Sequence, residues 1–280
     1  SEKHEYKQSS IDKYRKLIKS YILLKGSTKI VERMTNSIWF EDRASNKPLK
    51  DYSLNEITQW HIDCVHHRMK ETPTTANDVI KVISIIYSWA KKIKKMNLIN
   101  PVNDVVKFRE NKVKIKLSEL DRNKILDHCE SKAFDYNPRF LCFVALSLLL
   151  GKRAVELYGL RWTQPPTEKE KKLCSGWLEN NWEREKYMYL HDTKNRKAER
   201  VFLDQRSILL LQRLQRSRHT AANNWAVKSP FLFPQRKKPT QCVTSSSFRK
   251  ALNDLNKKLE LEITFQIKIS RKTFGSMIAD

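Results

Sequence analysis

A chain of 280 residues suits one large domain or two ordinary ones, and a hydrophobic content of 40% excludes wholesale disorder. Its 55 Lys and Arg against 31 Asp and Glu leave a formal charge of +24, an excess that repels itself unless a polyanion neutralises it; nucleic acid or an acidic membrane surface is admitted as partner. The longest apolar run, Phe140 to Leu150, is too short to span a bilayer, and the polar opening Ser1-Glu2-Lys3-His4 excludes a signal peptide at that end.

With five glycines and nine prolines the chain is predicted to be mostly helical. Ile11, Tyr14, Leu17, Ile18, Tyr21 and Ile22 follow helical spacing as far as Leu24. A second helix is predicted after Ser53, with Glu56 completing a capping box. A third covers Thr75 to Lys95, and Asn100-Pro101 stops further helix. In Lys107 to Leu117 the cations Lys112, Lys114 and Lys116 alternate with other residues, which reads either as an extended basic linker or as an edge strand. Ser118 caps a helix into His128, and another helix runs from Pro138 to Leu150. Tyr187 to Leu190 and Arg200 to Leu203 are strand-like around a polar turn, Thr193 to Lys197. Helical patterns resume at Ser207–Leu214, at Ser246–Leu259 and from about Lys268. The expected fold is mainly α with a small antiparallel β-sheet: a helical domain at 1–107, a linker at 108–117 and a second domain at 118–280. Five scattered cysteines, Cys64, Cys129, Cys142, Cys174 and Cys242, fit a reducing, cytoplasmic setting.

Three segments carry chemistry. Around Gly151-Lys152-Arg153 an apolar helix ends at a glycine and a new helix opens with Arg153. Glu156, three residues on, shares its helical face and can orient the guanidinium, although an ordinary surface pair at a helix junction reads the same way. Thr193 to Leu203 is a basic hairpin that can aim Lys194 at a duplex, where an ammonium gives a proton to a leaving alkoxide; a solvated loop is the plainer alternative. If Lys268 to Phe274 is helical, Lys268 and Arg271 present two cations to one anion, catalytic or merely along DNA backbone. His61, Cys64, His66 and His67 also cluster, but a structural zinc site needs a fourth ligand at compatible spacing, so no metal is assigned.

Together these segments resemble the conserved boxes of the tyrosine recombinases, the phage-type integrases. The first matches Gly-x-Arg-x-x-Glu-Leu-x-x-Leu-x-Trp at Gly151, Arg153, Glu156, Leu157, Leu160 and Trp162. The stretch from Thr193 and Lys194 to Leu203 is similar to the family's β-hairpin motif and falls between the two arginine boxes, as it does there. The third resembles His-x-x-Arg-x-Thr-Phe, with Lys268 in place of the histidine and Ser270 where Leu is usual. Pro230-Phe231-Leu232-Phe233-Pro234 looks like the strand before the family's later helices, and the helices ending at Asn100-Pro101 resemble its core-binding domain.

The resemblance implies a helical, SAM-like core-binding domain followed by an α+β catalytic domain. It implies a site-specific recombinase, an integrase of a mobile element, that cleaves and rejoins DNA through a 3′-phosphotyrosyl intermediate. In that scheme Arg153 and Arg271 bind the scissile phosphate, Glu156 supports them, and Lys194 protonates the 5′-oxygen. Lys268 supplies charge but is a poor base at neutral pH unless buried. Lys112, Lys114, Lys116, Arg196, Lys197 and Lys272 are expected on DNA. No cofactor or metal is implied, since arginines neutralise the phosphate. The implied partners are double-stranded DNA, further copies of the chain in a tetramer on two DNA sites, and accessory DNA-bending proteins, in a bacterial or phage-encoded, nucleoid-associated system. All nine tyrosines precede Arg271, the last being Tyr189, so the nucleophile is expected beyond Asp280 and the chain is expected to bind DNA without cleaving it. A type IB topoisomerase-like enzyme and a decayed integrase that only binds DNA are the alternatives.

Overall fold

The computed structural model describes residues 8–22, 49, 52–110, 116–191, 198–244 and 246–279, with the side chains of Ser9 and 277–279 excepted. The chain folds as two compact units, Ser1–Val113 and Lys114–Asp280.

In the first unit, helix α1 (Gln8–Leu17) runs on as a π-helical turn, Ile18–Ile22, where a plain helix is predicted. Helices α2 (Gln59–Arg68) and α3 (Pro73–Ile93) follow, and Leu17, Ile62, Val65, Met69, Val79, Ile80, Ile83 and Tyr87 form their common core. The helix predicted after Ser53 starts later than expected. Glu56 does accept from the Ser53 amide (2.7 Å) and hydroxyl (2.9 Å), but a short turn follows and α2 starts at Gln59. The cause is local competition. The Thr58 amide donates to His61 Nδ1 at 3.1 Å, so it is not given to the Leu54 carbonyl four residues back, which accepts instead from Tyr87 Oη at 2.7 Å.

His61 therefore acts as a cap, and burial holds its imidazole below the usual value. A histidine kept neutral in the fold binds fewer protons than in the unfolded chain. Its contribution to stability is full above the unfolded-state value of about 6.5 and is lost as pH falls through and below it. The denaturation midpoint of the first unit's helices is expected to drop between pH 7.5 and 5.5, and to drop less in His61→Gln; an equal drop in both proteins excludes this histidine as the cause. His66 Nε2 lies 3.0 Å from Asn77 Oδ1 and its ring stacks on Phe108 at 3.9 Å. Among the described residues no group of three or more His, Cys, Asp and Glu is arranged to hold a metal ion.

Asn77 also closes the first unit. Its amide donates to the Phe108 carbonyl (2.9 Å) and to Glu110 Oε1 (3.0 Å), while its oxygen accepts from the Phe108 amide (3.1 Å). Residues 108–110, read from sequence as the start of a linker, are thus fastened to α3. Lys112 and Lys114 lie outside the described residues, and Lys116 is exposed.

The second unit is built around one helix. Ser118 caps α4 (Glu119–Glu130), accepting from the Asp121 amide at 3.1 Å, and a 3-10 turn, Lys132–Tyr136, leads into α5 (Pro138–Leu150). Proline at its first position costs α5 no hydrogen bond, and every residue but Arg139 is buried. Its one interior hydroxyl, on Ser147, is turned back onto the Val144 carbonyl at 2.7 Å. A helix apolar all round must be covered on all sides. Next come α6 (Ala154–Tyr158), β1 (Leu160–Arg161), α7 (Glu168–Lys171), β2 (Gly176–Leu178), α8 (Trp182–Glu185), β3 (Tyr187–Leu190), β4 (Glu199–Phe202), α9 (Gln205–Ser217), α10 (Arg249–Leu259) and α11 (Ile267–Ala279). Helices α4, α9 and α11 pack on α5.

The sheet has the order β1-β2-β3-β4. The expected antiparallel pairing holds from β2 to β4, and Leu190 opposite Glu199 is the last pair before the turn; β1 extends the sheet by a short parallel pairing with β2. The turn itself, residues 192–197, lies outside the described residues, and with it Lys194, Arg196 and Lys197. Pro230 to Pro234 forms single bridges, Phe231 to Arg161 and Pro234 to Cys242, rather than a strand. Helix α10 begins at Arg249, later than the predicted Ser246, because the Ser247 hydroxyl accepts from the Thr244 amide (2.9 Å) and holds a turn there. No described helix is long and apolar enough to cross a membrane.

Candidate functional site

The site begins where α5 ends. Gly151 has a φ of +59°, a left-handed conformation that glycine adopts without strain and that stops the helix. A Cβ there would lie 2.3 Å from Phe274 Cδ1 on α11, so the missing side chain also makes room for the ring. Two residues on, Arg153 is the N-cap of α6, with extended backbone. Glu156 Oε2 accepts from the Arg153 amide at 2.8 Å, and Oε1 accepts from Arg153 Nη1 at 2.9 Å. One carboxylate therefore fixes both the backbone and the head of that arginine. Its own carbonyl accepts from Ser175 Oγ at 2.6 Å, tying α6 to the start of β2.

Arg271 approaches the same carboxylate from α11, with Nη1 3.7 Å from Glu156 Oε2. Glu156 is 3% exposed in its side chain, while Arg153 and Arg271 are 34% and 47% exposed. Two cations thus share one buried anion and keep a net positive charge and several free N–H donors toward solvent. That arrangement suits an incoming anion with several acceptor oxygens, such as a phosphodiester. The sequence-predicted residues Arg153, Glu156 and Arg271 are brought together. Lys268 and Lys272 are exposed on α11, one turn before Arg271 and directly after it. Lys194 is outside the described residues.

Two contacts were not foreseen from sequence. Lys152 Nζ bonds Glu199 Oε1 at 2.6 Å, joining the loop that carries Arg153 to the first residue of β4. Lys152 occupies a variable position of its motif, so pattern matching passes over it. Thr273 Oγ1 accepts from the Leu117 amide at 3.1 Å across 156 residues of sequence. Thr273 is the Thr of the third motif, which gives its position in sequence but not this contact.

Lambda integrase residues 75–356, a dimer bound to a COC′ core site, aligns with a TM-score of 0.64 and 12% identity over 99% of this chain and 84% of that one. The Tn1549 transposon integrase in complex with transposon right-end DNA aligns with a TM-score of 0.59 and 18% identity, over 95% and 85% of the two chains. This chain has the tyrosine-recombinase fold. A lambda integrase tetramer bound to a Holliday junction matches with a TM-score of 0.58 at 11% identity, over 99% and 78%. No protein-family model and no curated protein matches the sequence. At such low identities the architecture is what the chains share.

Proposed function

We propose that the chain is the DNA-binding and phosphate-activating core of a site-specific recombinase that cleaves and rejoins duplex DNA through a 3′-phosphotyrosyl intermediate. The observation that carries this reading is the convergence of Arg153 and Arg271, 118 residues apart in sequence, on the buried Glu156. Attack on a phosphodiester passes through a pentacovalent, doubly anionic arrangement. Fixed guanidinium donors stabilise that added charge more than they stabilise the ground state, which is the condition for catalysis. Lys268 adds charge from one turn away. Lys194 is the acid of this scheme, giving its proton to the departing 5′-oxygen and taking it back from the 5′-hydroxyl in rejoining. The nine tyrosines all precede Arg271, and the reading assigns the attacking oxygen to none of them.

The first unit is read as the core-binding domain and the second as the catalytic domain, with Lys112, Lys114 and Lys116 as contacts to DNA. The net charge of +24 supports DNA as the partner. The fold shared with a lambda integrase tetramer on a Holliday junction supports a tetramer on two sites; accessory DNA-bending proteins belong to the proposal alone.

The rejoining half-reaction tests this without a nucleophile from the protein. A duplex recovered by selection from randomised sequence carries a nick with a 3′-(4-nitrophenyl) phosphate facing a 5′-hydroxyl. The 5′-oxygen forms the new P–O bond, p-nitrophenolate leaves with its electron pair, and the hydroxyl proton passes to the unprotonated amine form of Lys194, so release should rise with pH. The expected result is p-nitrophenolate release together with a sealed strand. A chain that selects no duplex, or binds one and leaves the ester intact, would overturn the proposal.

A further inference from the structure

We infer that Thr273 is a positioning residue for the phosphate site, fastening the segment that enters the second unit to the helix that carries Arg271. The inference deepens the proposed function and rests on it. Leu117 is buried just before α4, where Ser118 is already the cap, so no intrahelical carbonyl is available to its amide. A buried amide needs a partner, and Thr273 Oγ1 provides it at 3.1 Å. The same hydroxyl donates to the Ile269 carbonyl at 3.1 Å, so one group locks the incoming chain to the helix backbone. A second stitch lies close by in sequence: the wholly buried Asp121 accepts through Oδ2 from the Glu262 amide at 3.1 Å. Segment 117–121 is thereby held at two points to the stretch leading into and along α11.

The consequence for chemistry comes from the roll of α11 about its axis. Thr273 and Arg271 lie on nearly opposite sides of the helix, and Phe274 is seated against Gly151. With Thr273 fixed from one side, Arg271 is delivered to Glu156 from the other. A roll of about 10° carries a guanidinium by about 1 Å at a helix's outer radius. Displacements of that size cost on the order of 100-fold in rate when they involve groups that hold a reacting centre. Pull on segment 116–118 also reaches Arg271 through this one hydroxyl.

The test compares Thr273→Val, which keeps the shape and loses the acceptor, with Thr273→Ser, which keeps the hydroxyl. In the nitrophenyl assay Thr273→Val is expected to lower kcat about 10- to 100-fold with duplex affinity within about twofold, and Thr273→Ser to restore most of the rate. In an Arg271→Ala background Thr273→Val is expected to have no further effect, because it acts through that arginine. A merely structural threonine gives the same loss in both backgrounds, and that result overturns the inference, as does an unchanged kcat in Thr273→Val. If the unaltered chain releases no p-nitrophenolate, the functional proposal falls separately. Orthovanadate affinity then decides: Thr273→Val must weaken it about tenfold and Thr273→Ser must not. Equal affinities, or no binding at all, end the claim.

Discussion

Arg153→Ala and Arg271→Ala are each expected to slow p-nitrophenolate release by about 100- to 1,000-fold, the usual loss when one fixed donor is taken from a developing oxyanion. Duplex affinity should fall little by comparison, since each removes one phosphate contact among many and lowers the salt slope of binding by about one. Lysine in either place keeps the charge but offers a point donor instead of a fork, and its rate should fall between arginine and alanine. The two losses should not multiply. Both guanidinium groups face one incoming phosphate, so once either is gone the other holds it less well, and the double variant should lose less than the product of the single losses. Glu156→Gln should approach the single-arginine losses, because its amide cannot accept at both ends as the carboxylate does. Single-turnover release against fluorescence anisotropy separates these outcomes. Variants whose affinity and rate fall in parallel would show that the arginines bind DNA without activating it.

Gly151→Ala is expected to cost about 2–5 kcal/mol of stability, from left-handed backbone at an L-residue together with overpacking against Phe274. For a unit of this size the melting temperature should drop by about 5–15 °C. Gly151→Asn separates the two causes. Asparagine tolerates the left-handed region but still brings a Cβ to within 2.3 Å of the Phe274 ring. If it melts nearly as low as the alanine variant, the ring contact dominates, as the geometry requires. A melting temperature unchanged within about 2 °C in both variants would refute this role of the glycine. Whatever folds should also lose phosphate activation, since moving Phe274 moves α11 and Arg271 with it.

Much of this was legible in the sequence, for reasons that can be named. Pro138 to Leu150 stood out because a helix buried on every side needs no polar stripe, and Ser118 because a cap announces its helix one residue ahead. Arg153, Glu156 and Arg271 were legible through resemblance, while their meeting at a single carboxylate was not, since no local pattern reports a contact across 118 residues. The helix placed after Ser53 starts late because the deciding partner of Leu54 is Tyr87, on another helix. Phe108 was read as linker because its neighbours are basic, yet Asn77 claims its amide and its carbonyl. In each case the sequence shows the donor or the acceptor, and only the fold shows which pair forms.

During synthesis the ribosome makes Arg153 118 residues before Arg271. Until α11 arrives to cover its flank of α5, a chain grown only as far as α10 leaves part of that apolar helix bare, a surface of the kind that chaperones hold. Such a chain owns Arg153 and its carboxylate but lacks the second guanidinium of the anion hold. Closing the hydrophobic centre and completing the anion hold are therefore the same event.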